Sequence, residues 1–305
     1  MMPRYPSVLQ SFVVACTAAL LASHAAAVTR TECERDYKPT VGQTGKDVVW
    51  VPTPSGIVSG MLGLAKVKPT DVVYDLGAGD GIIAITAGKL GATAVGIEYD
   101  PAMAKFAKCL VEADNMSEKV RIIEGDIFKE DFSKATVVTM YLLPELNRCI
   151  RHRLLAMPPG TRAVSHDFRM AEWEPDDTFE ESFRKAHLWI VPARVEGTWR
   201  ITEATGTDVT VRLTQSFQNV GGEVTAGAKK QTLVGASLRG NELKFSFNDD
   251  KGATRTFVGT VSGGALNGML RNGSAQVDAT GKAVGEIRAG DWAKMGAGCQ
   301  RYYGG

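Results

Sequence analysis

An apolar run, Val72-Val73-Tyr74-Asp75-Leu76, passes directly into Gly77-Ala78-Gly79-Asp80-Gly81. A strand that turns on glycines into a helix reads as the first βα unit of an open α/β sheet, with a ligand lying across the turn at the carboxyl end of the strand. Glycine belongs there because a bound molecule can then approach the backbone with no Cβ in the way. The residues up to 192 keep the same grammar, short apolar runs alternating with helical stretches. They predict strands at 71–74, 94–97, 120–123, 136–141 and 162–165. Asp100 followed by Pro101 is an N-cap and first-turn pair opening a helix through Ala113, and residues 144–156 read as another helix. Upstream, Thr53-Pro54 repeats the cap signal and Ile57, Met61 and Leu64 fall on one helical face. That spacing predicts a helix closing over the carboxyl end of the first strand.

After Pro192 the pattern changes to turn-rich segments alternating polar and apolar residues, at 198–202, 209–215, 242–247 and 255–261, with glycine at nearly every junction. This predicts an antiparallel β-domain, a small barrel or sandwich of roughly 100 residues. The expected organisation is a leader over residues 1–27, an N-terminal segment over 28–47, an α/β domain over 48–192, and the β-domain with its tail over 193–305. The β-domain shows no motif that carries chemistry.

The acidic residues around the glycine turn narrow the ligand. A dinucleotide's pyrophosphate wants an electropositive turn at the helix start, whereas here Asp75 and Asp80 flank the glycines. Two carboxylates suit a ligand that carries positive charge. Glu98 ends the next predicted strand, 23 residues after Asp75, where a carboxylate accepts bonds from both ribose hydroxyls. Asp126, in Glu124-Gly125-Asp126, ends the third and reaches the exocyclic amine of a base. A nucleoside joined to a cationic amino-acid tail matches all four acids, and S-adenosylmethionine is such a molecule. The chain carries 35 Lys and Arg against 34 Asp and Glu, a net charge of +1, so it has no basic surplus for gripping a nucleic-acid backbone. It also lacks the Gly-x-Ser-x-Gly and P-loop signatures of serine hydrolases and phosphate-binding NTPases.

The ordered run Asp75 to Gly81, Glu98 and Asp126 resembles the class I S-adenosylmethionine-dependent methyltransferases. More narrowly, Val51-Pro52-Thr53-Pro54, Asp75-Leu76-Gly77-Ala78-Gly79-Asp80-Gly81 and Trp173-Glu174-Pro175 look like the lysine methyltransferases of the ATP synthase c-subunit and the adenine nucleotide translocator, and their bacterial relatives. The resemblance spans roughly residues 48–192. It implies a Rossmann-like domain with a mostly parallel seven-stranded sheet, S-adenosylmethionine as cofactor, and a protein lysine as methyl acceptor, with a small molecule as the other acceptor class. Cofactor contacts then fall to Thr53, Asp75, Gly77, Ala78, Gly79, Asp80, Glu98 and Asp126, with Trp50 at the methionine end. The acceptor pocket lies at the end of the fourth strand, where Tyr141 shapes it. His166, in Ser165-His166-Asp167-Phe168, is the candidate proton acceptor if it faces the cleft. The competing class is an exported binding or assembly factor that keeps the methyltransferase fold and works through its β-domain.

Residues 8–28 are apolar and alanine-rich, follow Arg4 and end in Ala25-Ala26-Ala27, which reads as a signal peptide cut after Ala27. The alternative is an uncleaved membrane anchor of about 20 residues, with Arg30, Arg35 and Lys38 and the catalytic domain held inside the cell. Cleavage predicts an exported, periplasmic protein. Cys33, Cys109, Cys149 and Cys299 then remain, with no Cys-x-x-Cys pair and few histidines, so no metal is expected. Cys109 and Cys149 read as small buried hydrophobes within helices. Cys33 and Cys299, near the two ends, are the pair expected to tie the tails together, although four cysteines permit three connectivities.

Overall fold

The computed structural model describes residues 28–206, 208–288, 292 and 298–303. The signal-peptide or anchor reading of the leader up to residue 27 lies outside them. The first half contains α1 (Arg30–Asp36), α2 (Ser55–Leu64), β1 (Val72–Leu76), α3 (Ile82–Lys89), β2 (Thr93–Glu98), α4 (Pro101–Ala113), β3 (Val120–Glu124), β4 (Val137–Met140), α5 (Pro144–Leu155), β5 (Arg162–His166), β6 (Asp177–Glu181) and β7 (Arg184–Ile190). Their seven strands form one sheet in the order β3-β2-β1-β4-β5-β7-β6, parallel except for β7, which runs against both its neighbours. Helices cover both faces, so Val73, Tyr74, Asp75 and Leu76 of β1 are all buried. The order reverses between β1 and β4, and that switch point places a crevice at the carboxyl ends of the strands.

The Asp100 cap forms as expected, its carboxylate accepting from the Met103 amide at 2.7 Å with Pro101 in the first turn. At Thr53 the expectation fails. The N-cap of α2 is Pro54, which has no side chain to offer, and the Thr53 hydroxyl instead lies 3.3 Å from Nδ1 of His166. Nor does α2 close over β1: it buries Ile57, Val58, Met61 and Leu62 against β5, β6 and β7, because that face of the sheet is otherwise bare. The β6–β7 hairpin carries no Gly or Asn signal. Its two-residue turn holds Ser182 at φ 49° and Phe183 at φ 65°, left-handed conformations that glycine usually supplies.

The second half is all strand: β8 (Gly197–Glu203), β9 (Asp208–Ser216), β10 (Asn219–Ala226), β11 (Lys229–Thr232), β12 (Val234–Arg239), β13 (Glu242–Asn248), β14 (Thr254–Ser262), β15 (Ala265–Asn272) and β16 (Ala275–Val284). All pairs are antiparallel, in the order β11-β10-β9-β8-β16-β15-β14-β13-β12. The sheet curls until β10 approaches β12, a nearly closed barrel around Trp199, Val211, Leu213, Phe245, Phe257 and Leu266. It is also docked on the first half. Phe217, in the β9–β10 turn, stacks on Trp173 at 5.9 Å, and the Gln218 amide accepts from the Trp173 indole and donates to the Glu174 carbonyl.

The disulfides correct the expected pairing. Cys33 joins Cys109, fastening α1 to α4, and Cys149 joins Cys299, fastening the C-terminal segment and α6 (Gln300–Tyr303) to α5. Packing decides this: α1 lies along α4, bringing the Cα atoms of Cys33 and Cys109 to 5.8 Å, and Tyr302 stacks on Phe128, bringing Cys299 to 5.6 Å from Cys149. Cys109 and Cys149 are therefore bridge partners rather than free buried thiols. Closing loops of 76 and 150 residues removes unfolded-state entropy worth about 4 to 5 kcal/mol each.

Candidate active site

At the carboxyl ends of β1, β2 and β4 lies a cleft of about 560 Å³. One wall is the glycine turn. Gly77, Gly79 and Gly81 all have positive φ, at 75°, 55° and 78°, which a side chain would strain. A Cβ at Gly79 would also come within 2.6 Å of the Trp50 indole nitrogen, so the turn is stripped down where it faces the cleft.

The amides of this turn are already used. Gly77 and Ala78 donate to the Ile97 carbonyl, Gly79 donates to Oε2 of Glu98 at 2.8 Å, Gly81 donates to the Ala78 carbonyl and Ile82 donates to Oδ1 of Asp80. A phosphate would find these donors consumed by backbone carbonyls and by the carboxylates of Glu98 and Asp80, so the turn is a poor pyrophosphate cradle. What it presents instead is negative charge. Asp75, 2% exposed, accepts from the Thr139 hydroxyl at 2.7 Å and faces no cation among the described residues. Burial, reinforced by Asp80 and Glu98, pushes its carboxyl up to about 7. Burial likewise raises Asp80 and Glu98 above the ordinary carboxylate values, although backbone amides hold them back. Three desolvated carboxylates around one small space fit a cationic ligand, because its charge would restore their ionised forms.

Asp75, Gly77, Ala78, Gly79, Asp80, Glu98, Asp126 and Thr53 all line this cleft. Glu98 spends one lone pair of each oxygen on the amides of Gly79 and Asp100, leaving the second of each open. Asp126 accepts from the Phe128 amide and from Nζ of Lys46 at 2.7 Å. The Lys46 contact was not legible in the sequence, because nothing around Lys46 announces a partner 80 residues away.

On the opposite side, after β4, the wall is Tyr141, Leu142, Leu143, Leu146 and Phe168. Tyr141 is held from three directions. Its ring packs on His166 with centroids 3.9 Å apart and on Phe168 at 6.0 Å, while its hydroxyl accepts from Arg184 at 3.2 Å. Arg184 is itself held by Asp167 at 2.6 Å. His166 takes a different place from the one expected of a cleft base. It is 0% exposed, stands behind Tyr141 and is absent from the cleft wall. Burial pulls its imidazole down to about 4, so the ring is neutral at pH 7, with Nδ1 against Thr53. Arg184 and Asp167 escaped sequence reasoning because the hairpin that returns Arg184 to Tyr141 had no turn signal.

Comparison with known proteins finds the same region. Residues 75–177 match the model of the ANTKMT methyltransferase domain. A protein-lysine N-methyltransferase of Saccharolobus islandicus is 41% identical over 136 residues, covering 44% of this chain and 84% of that protein. The ATP synthase C-subunit lysine N-methyltransferase of Xenopus laevis is 27% identical over 43% of this chain, which spans 58% of the frog protein. Among solved structures, an RNA methyltransferase from Salinibacter ruber in complex with S-adenosyl-L-homocysteine is 45% identical, with a TM-score of 0.47, covering 48% of this chain and 96% of that one.

Proposed function

The chain belongs to the family of S-adenosylmethionine-dependent methyltransferases that includes the Saccharolobus protein-lysine N-methyltransferase, and from that membership we propose that its acceptor is a lysine amine of a protein. The observation that carries the proposal is the two-sided cleft, carboxylates on the β1 and β2 side and an apolar, aromatic wall after β4. When bound, S-adenosylmethionine supplies a methyl carbon made electrophilic by its sulfonium. Asp75 and Asp80 would hold its cationic amino-acid end where the turn glycines leave room for it, the spare lone pairs of Glu98 would take the ribose hydroxyls and Asp126 would take the edge of the base. Thr53 closes the inner wall.

A lysine is unreactive as an ammonium and must present a neutral nitrogen. Leu142, Leu143, Leu146 and Phe168 favour that form, because a low-polarity wall disfavours the charge. They also exclude water, which protects the in-line geometry of the displacement. Tyr141 orients the incoming side chain, itself fixed by Arg184 and by the buried ring of His166. His166 acts here as a support for Tyr141 and Thr53, not as a base that touches the acceptor. The lysine reading is supported by the names of the Saccharolobus and Xenopus relatives. We also propose export: the apolar segment at residues 8–28 supplies a leader, and two formed disulfides suit an oxidising compartment.

The test is to incubate the protein with methyl-labelled S-adenosylmethionine and a total extract of its own cells, split into protein and RNA fractions. Label in protein, mapped by mass spectrometry to methylated lysine, is the expected result. Label confined to RNA or to small molecules overturns it. Intact mass of the natively expressed protein checks export: a chain beginning at Val28 supports it, and a full-length chain in the membrane fraction refutes it.

A further inference from the structure

The glycine turn and the strand ends form only part of the cleft wall. Beside the helix residues and the apolar wall after β4, a further part is Gln43 to Thr53, a segment that belongs to neither sheet. Residues 42–50 fold back on themselves: Gly42 donates to the Trp50 carbonyl, Trp50 to the Gln43 carbonyl and Gly45 to the Val48 carbonyl, with a bridge between Thr44 and Val49. This small hairpin lies across the outer side of the cofactor site. At its tip Lys46 reaches Asp126 at 2.7 Å and sits over the Tyr99 ring at 4.7 Å. At its far end Trp50 covers Gly79.

The two ends of the segment are held differently. Its C-terminal end runs into α2, which is packed on the sheet. Its N-terminal end is fastened by the Cys33–Cys109 disulfide, by Arg30 on Asp114 at 2.6 Å and by the Tyr37 ring on Phe106 at 5.7 Å, with Gln43 donating back to the Tyr37 hydroxyl at 2.8 Å. Between these ends, the hydrogen bond among the described residues that leaves the hairpin for the sheet is Lys46 to Asp126. Apart from that ion pair, its middle is held by packing of the half-buried Val48 and Trp50 against the apolar core, contacts that can part while both ends stay fastened.

We infer that residues 40–50 are a strap that closes the cofactor site, with Lys46 as its latch on Asp126 and the Cys33–Cys109 disulfide as its anchor. The cofactor enters and leaves by the strap swinging, and the anchor limits how far it swings. Lys46 therefore acts on cofactor residence, and the disulfide, though distant from the glycine turn along the chain, acts on the same step. This rests on the cofactor and not on the lysine acceptor, so failure of the acceptor reading leaves it standing.

The experiment uses the full protein and S-adenosyl-L-homocysteine as probe, with its dissociation rate read by stopped-flow displacement. Lys46→Met, which changes an exposed strap position, is expected to release the probe at least fivefold faster. The double variant Cys33→Ser/Cys109→Ser is expected to do the same, and in it trypsin cleaves after Lys46 faster than in the disulfide-bonded protein. Saturating probe should slow that cleavage in both. Dissociation within twofold of the parent in Lys46→Met overturns the latch. An unchanged rate in a folded double variant, or tryptic cleavage after Lys46 that ignores the probe, overturns the anchored strap. If the double variant does not fold, brief dithiothreitol treatment replaces it, run beside a Cys149→Ser/Cys299→Ser variant in which Cys33–Cys109 is the disulfide left to cut, with the same expected and overturning outcomes.

Discussion

The α/β half and the barrel both bury acidic side chains, but they treat them differently. In the barrel, Glu203 is buried against the guanidinium of Arg255 at 2.8 Å, so its charge is balanced within the fold. In the α/β half, Asp75, Asp80 and Glu98 crowd one cleft with no guanidinium or ammonium hydrogen-bonded to them among the described residues. The contrast holds even along one strand. Asp71, just before β1, is buried and paired with Arg162, whereas Asp75, near the end of β1, is buried and answered only by a hydroxyl. Glu203 and Asp71, each with its own cation, belong to the architecture, whereas Asp75, buried in the cleft wall without one, suits a cation that binds there.

The sharpest way to break this comparison is at the glycines. Gly79→Val puts a branched side chain at φ 55° and against Trp50, and is expected to lower S-adenosylmethionine affinity by about 100-fold or more in a calorimetric titration. Affinity within threefold of the parent would remove the turn from the cofactor site.

Next comes a pair of isosteric changes with opposite signs. Glu203→Gln leaves Arg255 buried beside a neutral amide and should destabilise the protein by about 2 to 3 kcal/mol in denaturant titration, with cofactor affinity unchanged. Above pH 7, where Asp75 is ionised, Asp75→Asn removes an unpaired buried charge, so the cofactor-free protein should become more stable there while affinity falls about tenfold. Both variants losing stability equally would erase the distinction.

The pH dependence sharpens it further. With its carboxyl near 7, Asp75 is largely protonated below that value and must release a proton when a cation binds. Affinity should thus fall as pH drops below 7, by at most about tenfold per unit, and Asp75→Asn should flatten the curve. Folding has the opposite slope. The native state holds a proton that the unfolded chain has lost, so the Asp75 contribution to stability declines as pH rises from about 4 to about 7. A cofactor affinity that is flat from pH 6 to 8 in the parent would contradict this assignment.

The smallest effect belongs to the barrel. Gly252→Ala, in the β13–β14 turn at φ 83° with open space around it, should cost about 1 kcal/mol of stability and leave cofactor affinity within twofold. A tenfold loss of affinity there would mean that the barrel and the cleft are coupled.

Much of the fold was legible because local chemistry repeats along the chain. The predicted strands at 71–74, 94–97 and 120–123 overlap β1, β2 and β3, and the Asp100-Pro101 cap opens α4 where expected, since an N-cap and a fixed proline φ act within a few residues. The glycine turn with Asp80 and the three acids near strand ends, Asp75, Glu98 and Asp126, likewise meet in one cleft. What escaped depends on partners distant in sequence. The hairpin that carries Arg184 turns on two non-glycine residues in left-handed conformations, which only the packing of β6 and β7 makes worthwhile.

The spacing of glycines, acids and caps and the polar-apolar alternation after Pro192 determined by themselves an α/β sheet with a cation-seeking turn, followed by an antiparallel β-domain, and the structure decided that this domain is a nearly closed barrel and not a sandwich. Tertiary structure alone decided that Cys33 meets Cys109 and not Cys299, that His166 lies behind Tyr141, and that Lys46 crosses the cleft to Asp126. The physical reason is distance along the chain. Caps, turns and periodicity act between near neighbours and leave their mark in the order of residues. A disulfide, a ring stack or an ion pair between remote residues exists only once helices and strands have packed, and nothing in the local sequence announces which partner it will find.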